Sequence, residues 1–449
     1  MSLVVKWCLL RCLYTCAFYA FFGNAWSVDL LTLYRIAQND DPVFEIARHT
    51  REATEQKVPQ ARAGLLPALS ISGNDGRTRA QTTFSNQSTV DRNVDAWTWT
   101  LQLTQPLVRL QNVFAYQQST LQADAAEAQF TQTLHELILR LAQAYFDTLI
   151  AEEAQMAAEA QLRALDEQWR QAKRGFETGV RAITDMHEAR SRRDDARALK
   201  IAAENEVEIK HSELERIVGP VNGKLAALGS AAIMPEPQPA DVQQWVMQAR
   251  EQNPAVRAQK STVDAAEAEI SRNRAEHLPT VDLVASRGAS YSSGSLTTPL
   301  DYSTNTRSML ASVQINVPLF SGGATNARIE EAIANRSKEL ARLEDTRRRV
   351  TTDTRQAYAA IINGQARIEA LESAQIAGEN AVKGNQVGYR IGLRTNMDVL
   401  TSEQQLFATR RDLSKARYDI LLQGLKLKAS VGTLTESDVV EVNRLLQER

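Results

Sequence analysis

The 449-residue chain is predicted to be mainly α-helical with a small β part. Long stretches repeat apolar residues every three or four positions, which is typical of amphipathic helices. Short stretches, of which residues 97–107 are the clearest, alternate apolar and polar residues as strands do. The same order of segments occurs twice along the chain, so the sequence predicts two copies of one structural unit.

The first 25 residues have the composition of a secretory signal peptide. Lys6 and Arg11 precede an apolar run at residues 12–22, and Gly23 and Ala25 suit a cleavage site after Ala25. A transmembrane anchor is the alternative, although the apolar run is short for a bilayer. The three cysteines of the chain lie in this segment, at Cys8, Cys12 and Cys16. The mature chain is therefore expected to have neither a disulfide framework nor a thiolate metal site.

Matching residues recur at an offset of 212, which becomes 213 after one inserted residue. The matched residues of the first copy are Pro42, Pro67, Pro106, Gly179, Asp185 and Gly219. Their counterparts are Pro254, Pro279, Pro318, Gly392, Asp398 and Gly432. The predicted domains are a signal peptide (1–25), a first repeat (26–233), a proline-rich joint (234–240), a second repeat (241–435) and a C-terminal tail (436–449).

Each copy is predicted to contain the same elements in the same order. A short helix breaks before a proline, because proline cannot continue a helix, and a second helix follows. Two strands with a polar loop between them come next, then a very long helix, a glycine-containing turn and a last long helix. The first-copy boundaries are Pro42, Leu65, a loop at 74–93, Phe176 and Gly219; the second-copy boundaries are Pro254, Glu276, a loop at 287–306, Tyr389 and Gly432.

The alternating strands are predicted to face lipid. The lipid-facing residues are Trp97, Trp99, Leu101 and Leu103 in one copy and Val313, Ile315 and Val317 in the other. Runs of about 9 to 11 residues with an apolar outer face and aromatic ends are typical of outer-membrane strands. A half-buried strand in a soluble sandwich shows the same alternation. Export of the chain favours the membrane, and four strands cannot close a barrel alone, so several chains must share one.

The sequence offers no pattern typical of catalysis. Its formal net charge of -2 gives no basic footprint for a nucleic acid. The five histidines are scattered without metal-ligand spacing, and no glycine-rich phosphate loop is followed by a lysine. We therefore expect no enzyme, no cofactor and no metal.

Two motifs, PLFSGG at residues 318–323 and YRIGLRTNMDVL at residues 389–400, occur within this duplicated helix–strand–strand–helix order. In both respects the chain resembles the TolC family of outer-membrane efflux and secretion channels, in particular the components of type I toxin export. The resemblance implies a homotrimer, in which four strands per chain contribute to a twelve-stranded barrel in the outer membrane. It also implies a periplasmic tunnel of long coiled-coil α-helices that is closed at its far end.

The resemblance also implies a periplasmic gate. Asp185, beside Thr184 in the first-copy turn, would bond to Tyr389 and Arg394 in the second-copy turn, and Asp398 would form a ring of three acids. Some members carry a second acid one helical turn later, where this chain has Thr401. On the residues alone, an Asp at the start of a helix is also explained by helix capping. Arg394 and Asp185 could equally be an ordinary surface ion pair.

The expected function is a passive, gated export duct in the outer membrane with a periplasmic helical extension. Its expected partners are outer-membrane lipid, a periplasmic adaptor protein, an inner-membrane ABC transporter and a secreted protein toxin as cargo. Two alternatives remain open at this point: the duct of a multidrug efflux pump, and a soluble periplasmic coiled-coil scaffold.

Overall fold

The computed structural model describes residues 28–83, 89–180, 182–221, 223–229, 235–298 and 302–447, so the predicted signal peptide lies outside it. The fold is mainly helical with a small antiparallel sheet, as the sequence predicts. Two compact units are present: the described residues of Met1–Ile46, Gln132–Asn253 and Val350–Arg449 form one, and those of Ala47–Thr131 and Pro254–Arg349 form the other. None of the helices described is both long and apolar enough to cross a membrane.

The helices are α1 (Leu30–Asp40), α2 (Pro42–Glu55), α3 (Lys57–Ala63), α4 (Leu110–Glu177), α5 (Ile183–Val218), α6 (Val242–Gln252), α7 (Pro254–Ala275), α8 (Ala324–Arg390), α9 (Asn396–Val431) and α10 (Glu436–Leu445). The strands are β1 (Ala68–Thr82), β2 (Val90–Val108), β3 (Ala227–Leu228), β4 (Thr280–Ser292), β5 (Thr304–Asn316) and β6 (Leu446–Gln447). The predicted long helices agree with α4, α5, α8 and α9 to within one or two residues at their outer ends.

The predicted breaks before Pro42 and Pro254 are present in the structure. Asp41 accepts a hydrogen bond from the Phe44 N–H (3.0 Å), and proline follows it at the first helical position, where its missing N–H costs nothing. The Asp41 carboxylate is buried and is neutralised by the Arg140 guanidinium at 2.6 Å. A buried pair of this kind is costly to break on one side only.

The two copies differ after this break. In the first copy the second helix is interrupted at Gln56, between α2 and α3, whereas α7 is continuous. Pro59 lies in the first turn of α3 and has no N–H to donate to Glu55, while the counterpart of Pro59 in α7 is Ser271. The proline therefore accounts for the interruption.

Two tyrosines at matched positions of the first unit each hydrogen-bond a connecting segment. Tyr145 of α4 is fully buried and donates its hydroxyl to the Ala226 carbonyl at 2.7 Å. Tyr358 of α8 donates to the Ala240 carbonyl at 2.8 Å, within the proline-rich joint, which is neither helix nor strand over its described residues. Each copy thus uses its tyrosine to hold a connecting segment.

The second unit contains a four-stranded antiparallel sheet in the order β1-β2-β4-β5. The predicted polar loops at 74–93 and 287–306 are wrong in length, because β1 continues to Thr82, β2 begins at Val90, β4 continues to Ser292 and β5 begins at Thr304. The backbone pairs by main-chain hydrogen bonds whatever the side chains are, so strands rich in Ser, Thr, Asn and Gly resemble loops in composition.

The C-terminal residues, which the sequence assigns to a tail, form α10 and the short strand β6. Asp438 is buried and accepts the Thr435 N–H at 2.7 Å, which caps the helix. Lys428 of α9 donates to the same carboxylate at 2.6 Å, and β6 pairs with β3. The segment is therefore fastened to the first unit.

Candidate functional site at the paired helical turns

The turns between α4 and α5 and between α8 and α9 end their first helix in the same way. In the first turn the Val180 N–H donates to the Gly175 carbonyl at 2.9 Å, and Gly179 has a φ of 74°. In the second turn the Leu393 N–H donates to the Gly388 carbonyl at 2.8 Å, and Gly392 has a φ of 80°. The positive φ requires glycine or strains another residue, so the matched glycines give both turns one backbone.

The second turn then starts α9 with a capping box. The Thr395 hydroxyl accepts the Asp398 N–H at 3.2 Å, and Asp398 Oδ2 accepts the Thr395 N–H at 2.9 Å. The Thr395 N–H, and after it the Thr395 hydroxyl, hold the pKa of the Asp398 carboxyl below its ordinary value of 3.8, and the nearby Arg394 charge acts in the same direction. The Thr395 N–H and the Thr395 hydroxyl both donate to Oδ2 of Asp398, each at 2.9 Å. Capping therefore occupies only one of the two carboxylate oxygens.

The first turn starts α5 without a side-chain cap. Ala182 stands at the N-cap position, where it offers no side-chain acceptor. Asp185 occupies the same helical position as Asp398, and its N–H donates to the Ala182 carbonyl at 3.2 Å. Thr184 precedes it and is exposed, while Asp185 is partly buried. The predicted pair Thr184 and Asp185 therefore lies at an uncapped helix start.

Arg394 is positioned by Gly388, two residues before the end of α8. Its N–H donates to the Gly388 carbonyl at 3.2 Å. A β-carbon at Gly388 would lie 2.7 Å from Arg394 Cγ, which is closer than atoms can approach. The arginine stem therefore crosses the space that a side chain at Gly388 would fill, and its guanidinium end is exposed.

Tyr389 lies beside an open cavity of about 440 Å³ between α4, α8 and α9. Glu403 of α9 spans this cavity, because its carboxylate accepts hydrogen bonds from Gln168 of α4 (3.0 Å) and from Gln386 of α8 (3.1 Å). Arg390 also lines the cavity. One carboxylate thus joins a helix of the first copy to the helical hairpin of the second.

An apolar contact connects the same two hairpins. Leu165 of α4, Ala196 of α5 and Leu400 of α9 form one buried cluster, and Leu162 packs against it. At the edge of the cluster the Arg192 guanidinium of α5 donates to the sulfur of Met397. The two turns are therefore held side by side through α9.

The structure brings some of the predicted gate residues together and leaves others apart. Arg394 and Asp398 are neighbours in the second turn, and Tyr389 lies in the helix before it. Among the described residues of this single chain, no hydrogen bond or ion pair joins Asp185 to Arg394. The sequence analysis missed Glu403, Gln168 and Gln386, because polar residues on exposed helix faces are common and nothing in their spacing distinguishes these three.

The predicted lipid-facing residues share one face of the sheet. Directly paired residues point to the same side, and Trp97, Trp99, Leu101 and Leu103 of β2 pair with Tyr291, Ala289, Arg287 and Ala285 of β4. On β5 the side chains of Val313 and Ile315 are 57% and 65% exposed, and Val317 just beyond the strand is 50% exposed. Large apolar side chains exposed in a continuous patch mark a surface that is covered by lipid or a partner.

No group of three or more His, Cys, Asp or Glu side chains in the described ranges is arranged to hold a metal ion. Near the turns, Asp398 is instead bound to a helix N-terminus, Glu403 to a glutamine amide and Glu188 to Arg192. The arrangement is thus one of helix capping and inter-helix hydrogen bonds.

Comparison with known proteins agrees with these features. The sequence profile of a family described as "Outer membrane efflux protein" matches residues 33–220 and 245–433. The alkaline protease secretion protein AprF of Pseudomonas aeruginosa is 33% identical, over 93% of this chain and 87% of AprF. The proteases secretion protein PrtF of Dickeya chrysanthemi is 31% identical, over 94% of this chain and 91% of PrtF. The resemblance to type I toxin export favours protein CyaE of Bordetella pertussis as an individual relative. CyaE is 24% identical, over 86% of this chain and 80% of CyaE.

Solved structures give the same fold. The Campylobacter jejuni CmeC outer membrane channel has a TM-score of 0.79 at 14% identity, over 95% of this chain and 94% of that one. The fold class predicted from the sequence, long helices with four strands per chain, is thereby confirmed. With a family profile over most of its length and relatives above 30% identity, the chain belongs to the outer membrane efflux protein family.

Proposed function

We propose that three copies of the chain form one outer-membrane duct of a type I secretion system, which conducts a protein from an inner-membrane ABC transporter and a periplasmic adaptor to the outside. The observation that carries this proposal is the identity, over nearly the full length, to two proteins named for protease secretion. Family members are outer-membrane channel proteins rather than enzymes, so the energy for transport comes from the partners.

The sheet supports the shared barrel. Among the residues that the structure describes, its order leaves one edge of β1 and one edge of β5 unpaired. Unpaired backbone groups are not tolerated in lipid, so each edge must meet a strand of another copy. Three chains of four strands give the closed barrel. The proposal therefore includes a homotrimer whose Trp97, Trp99 and Leu101 face the lipid.

The assembly is tested by the mass of the mature protein, extracted from outer membranes and corrected for bound detergent. We expect a trimer that requires detergent. A monomer that stays in solution without detergent would contradict the proposal and favour the soluble scaffold.

The cargo is tested by replacing AprF with this chain in Pseudomonas aeruginosa and measuring alkaline protease in the medium. We expect secretion to be restored at least in part, while sensitivity to small toxic compounds is unchanged. Increased resistance to small toxic compounds without secreted protease would instead assign the chain to a multidrug efflux pump. The sequence resemblance predicts a toxin as the natural cargo, and the names of AprF and PrtF extend the proposed class to secreted proteases.

We further propose that the paired turns are the periplasmic gate of the duct, formed by Thr184, Asp185, Tyr389, Arg394 and Asp398. Supporting this, α9 is tied to α4 through Glu403 and to α5 through Leu400, so the second hairpin cannot move without breaking named contacts. Asp398 can serve both as a cap and as a member of an acidic ring, because the cap uses one oxygen. A ring of carboxylates in a pore favours cations.

The repeat boundaries predicted from the sequence are retained as part of the proposal: copies at 26–233 and 241–435, a joint at 234–240 and a tail at 436–449. They are supported by the two segments that match the family profile and by the matched glycines of the turns. Expression of the two copies as separate chains tests them. Recovery of a detergent-stable complex from both fragments is expected if the joint is only a connection.

A further inference from the structure

The apolar face of the sheet ends on two arginines. Along β5, same-face apolar residues run from Ile315 through Val313 and Ala311 to Met309, and the next residue on this face is Arg307. Arg287 of β4 is paired directly with Met309 on one side and with Leu101 on the other. Both guanidiniums therefore share the face of the predicted lipid-facing tryptophans.

The two arginines line one open cavity of about 720 Å³ on this face. Trp97, Trp99, Ala289 and Met309 line it with them. Trp97 also stacks against Tyr291, with ring centroids 6.2 Å apart and planes 23° apart. The cavity thus combines apolar walls and indole rings with two positive groups, which is the composition expected for an amphiphilic ligand.

These charges are not neutralised by the part of the chain that the structure describes. No carboxylate there pairs with Arg287 or Arg307. Arg77, which lies on the same face farther from the helices, is by contrast paired with Asp95 at 2.5 Å. A charge on a lipid-facing surface is unfavourable unless it reaches the interface or an opposite charge.

The height of Arg307 on its strand places it at a membrane boundary. Arg307 lies nine residues before Asn316, the end of β5 nearest α8. Nine residues of strand tilted by about 40° rise roughly 23 Å, close to the apolar band of about 25 Å in outer-membrane barrels. The helices of this family lie on the periplasmic side, so Arg307 lies at the outer boundary, within the aromatic belt. Arg287 is paired with Met309, seven residues from the same end of the sheet, at a rise of roughly 18 Å, and its long side chain can extend to the boundary.

We propose that Arg287 and Arg307, flanked by Trp97 and Trp99, bind the phosphate of an outer-leaflet lipid headgroup. The guanidinium fork matches phosphate oxygens in geometry as well as charge, and the indole rings sit against the adjoining acyl and sugar region. The inference rests on the proposed placement of this sheet face against the outer membrane. A phosphorylated lipid would supply the negative charge that the described face lacks.

The test is native mass spectrometry of the purified trimer in neutral detergent, titrated with bisphosphorylated lipid A. The comparison probes are the same lipid with its phosphates removed, and inorganic phosphate as a competitor. We expect the phosphorylated lipid alone to be retained, and the double variant Arg287→Gln/Arg307→Gln to bind it about tenfold or more weakly. Arg79→Gln removes an exposed arginine of β1 outside the cavity, and we expect it to bind like the wild type.

Equal retention of the dephosphorylated lipid, or an equal loss in Arg79→Gln, would overturn the site. Displacement of the lipid by inorganic phosphate at matched concentration would overturn the lipid as its occupant. Conductance in planar bilayers of phosphatidylcholine separates this inference from the function on which it rests. A normal pore without a preference for phosphorylated lipid defeats only the lipid site, whereas a wild-type chain that forms no pore defeats the proposed duct as well.

Discussion

The two helical turns share one backbone and differ in the helix start that follows. Gly179 and Gly392 occupy the same positive-φ position, and each is preceded by the same pattern of hydrogen bonds. After the second turn, the capping box of Thr395 and Asp398 caps the start of α9. After the first turn, Ala182 occupies the equivalent N-cap position and makes no side-chain hydrogen bond. Duplication thus preserved the turn, while the local stability of the next helix came to differ between the copies.

The hairpins behind these turns differ in the same sense. In the first hairpin the Arg193 guanidinium lies 4.3 Å from the centre of the Trp169 ring, and Lys173 lies 5.7 Å from it. The counterparts of Trp169 and Arg193 in the second hairpin are Val382 and Leu406, which are both buried. At this level the second hairpin packs two aliphatic side chains, whereas the first packs a half-buried indole ring against two cations, and only the second has a side-chain cap at its turn. We infer that the first turn depends more on contacts from outside its own hairpin.

The largest expected effect comes from separating the hairpins at Leu400. Its side chain is 3% exposed and packs on Leu165 and Ala196, so Leu400→Ala should lower stability by about 2 to 5 kcal/mol. Thermal midpoints of the detergent-solubilised trimer check this. Leu393→Ala is the matched control, because Leu393 is 78% exposed in the turn, and its midpoint should stay near that of the wild type. Equal midpoints for both variants would show that the hairpins are not coupled through this cluster.

Exchanging the caps is the direct test of the comparison. Thr395→Ala removes a cap and should weaken the start of α9 by about 0.5 to 2 kcal/mol, whereas Ala182→Thr should strengthen the start of α5 by a similar amount. Amide hydrogen exchange in the first turn of each helix measures both changes. Thr395→Ser keeps the hydroxyl and should exchange like the wild type. Unchanged exchange in Thr395→Ala would mean that α9 is fixed by packing alone.

Much of this difference could be anticipated from the residues. The matched glycines predict the turns, and an Asp three residues after a Thr predicts the capping of α9. The joining of α4 to α9 by Glu403 could not be predicted, because a single glutamate on a charged helix face carries no positional signal. The strands beyond Gly73 and Ser286 were missed for another reason. Main-chain pairing extends them through polar residues whose composition is that of a loop.

The proposed gate predicts a smaller effect at Arg394. Its exposed charge is expected to hold the second turn against a neighbouring acid, and a surface ion pair is worth about 1 kcal/mol or less. Arg394→Ala should therefore raise the open population by up to about fivefold, seen as higher single-channel conductance or open time in planar bilayers. Arg390→Ala, at the last residue of α8, removes an equal charge from a residue that precedes the turn. Equal increases in conductance or open time for both variants would show that the loss of any positive charge has this effect. No increase in Arg394→Ala would show that Arg394 is not part of the gate.

The smallest effect concerns pH, and it separates the two roles of Asp398. The Thr395 N–H and hydroxyl lower the pKa of this carboxyl, so its capping contribution is complete above the ordinary value of 3.8 and is lost as the pH falls through the lower folded value. Three such carboxylates crowded in a ring would instead repel one another and raise the pKa. If the cap dominates, cation selectivity in planar bilayers stays constant from about pH 7 to about pH 5 and falls only below about pH 4. Loss of selectivity already above about pH 5 would show that repulsion across the ring outweighs the cap. A selectivity that is the same in Asp398→Asn at every pH would leave Asp398 as a cap alone.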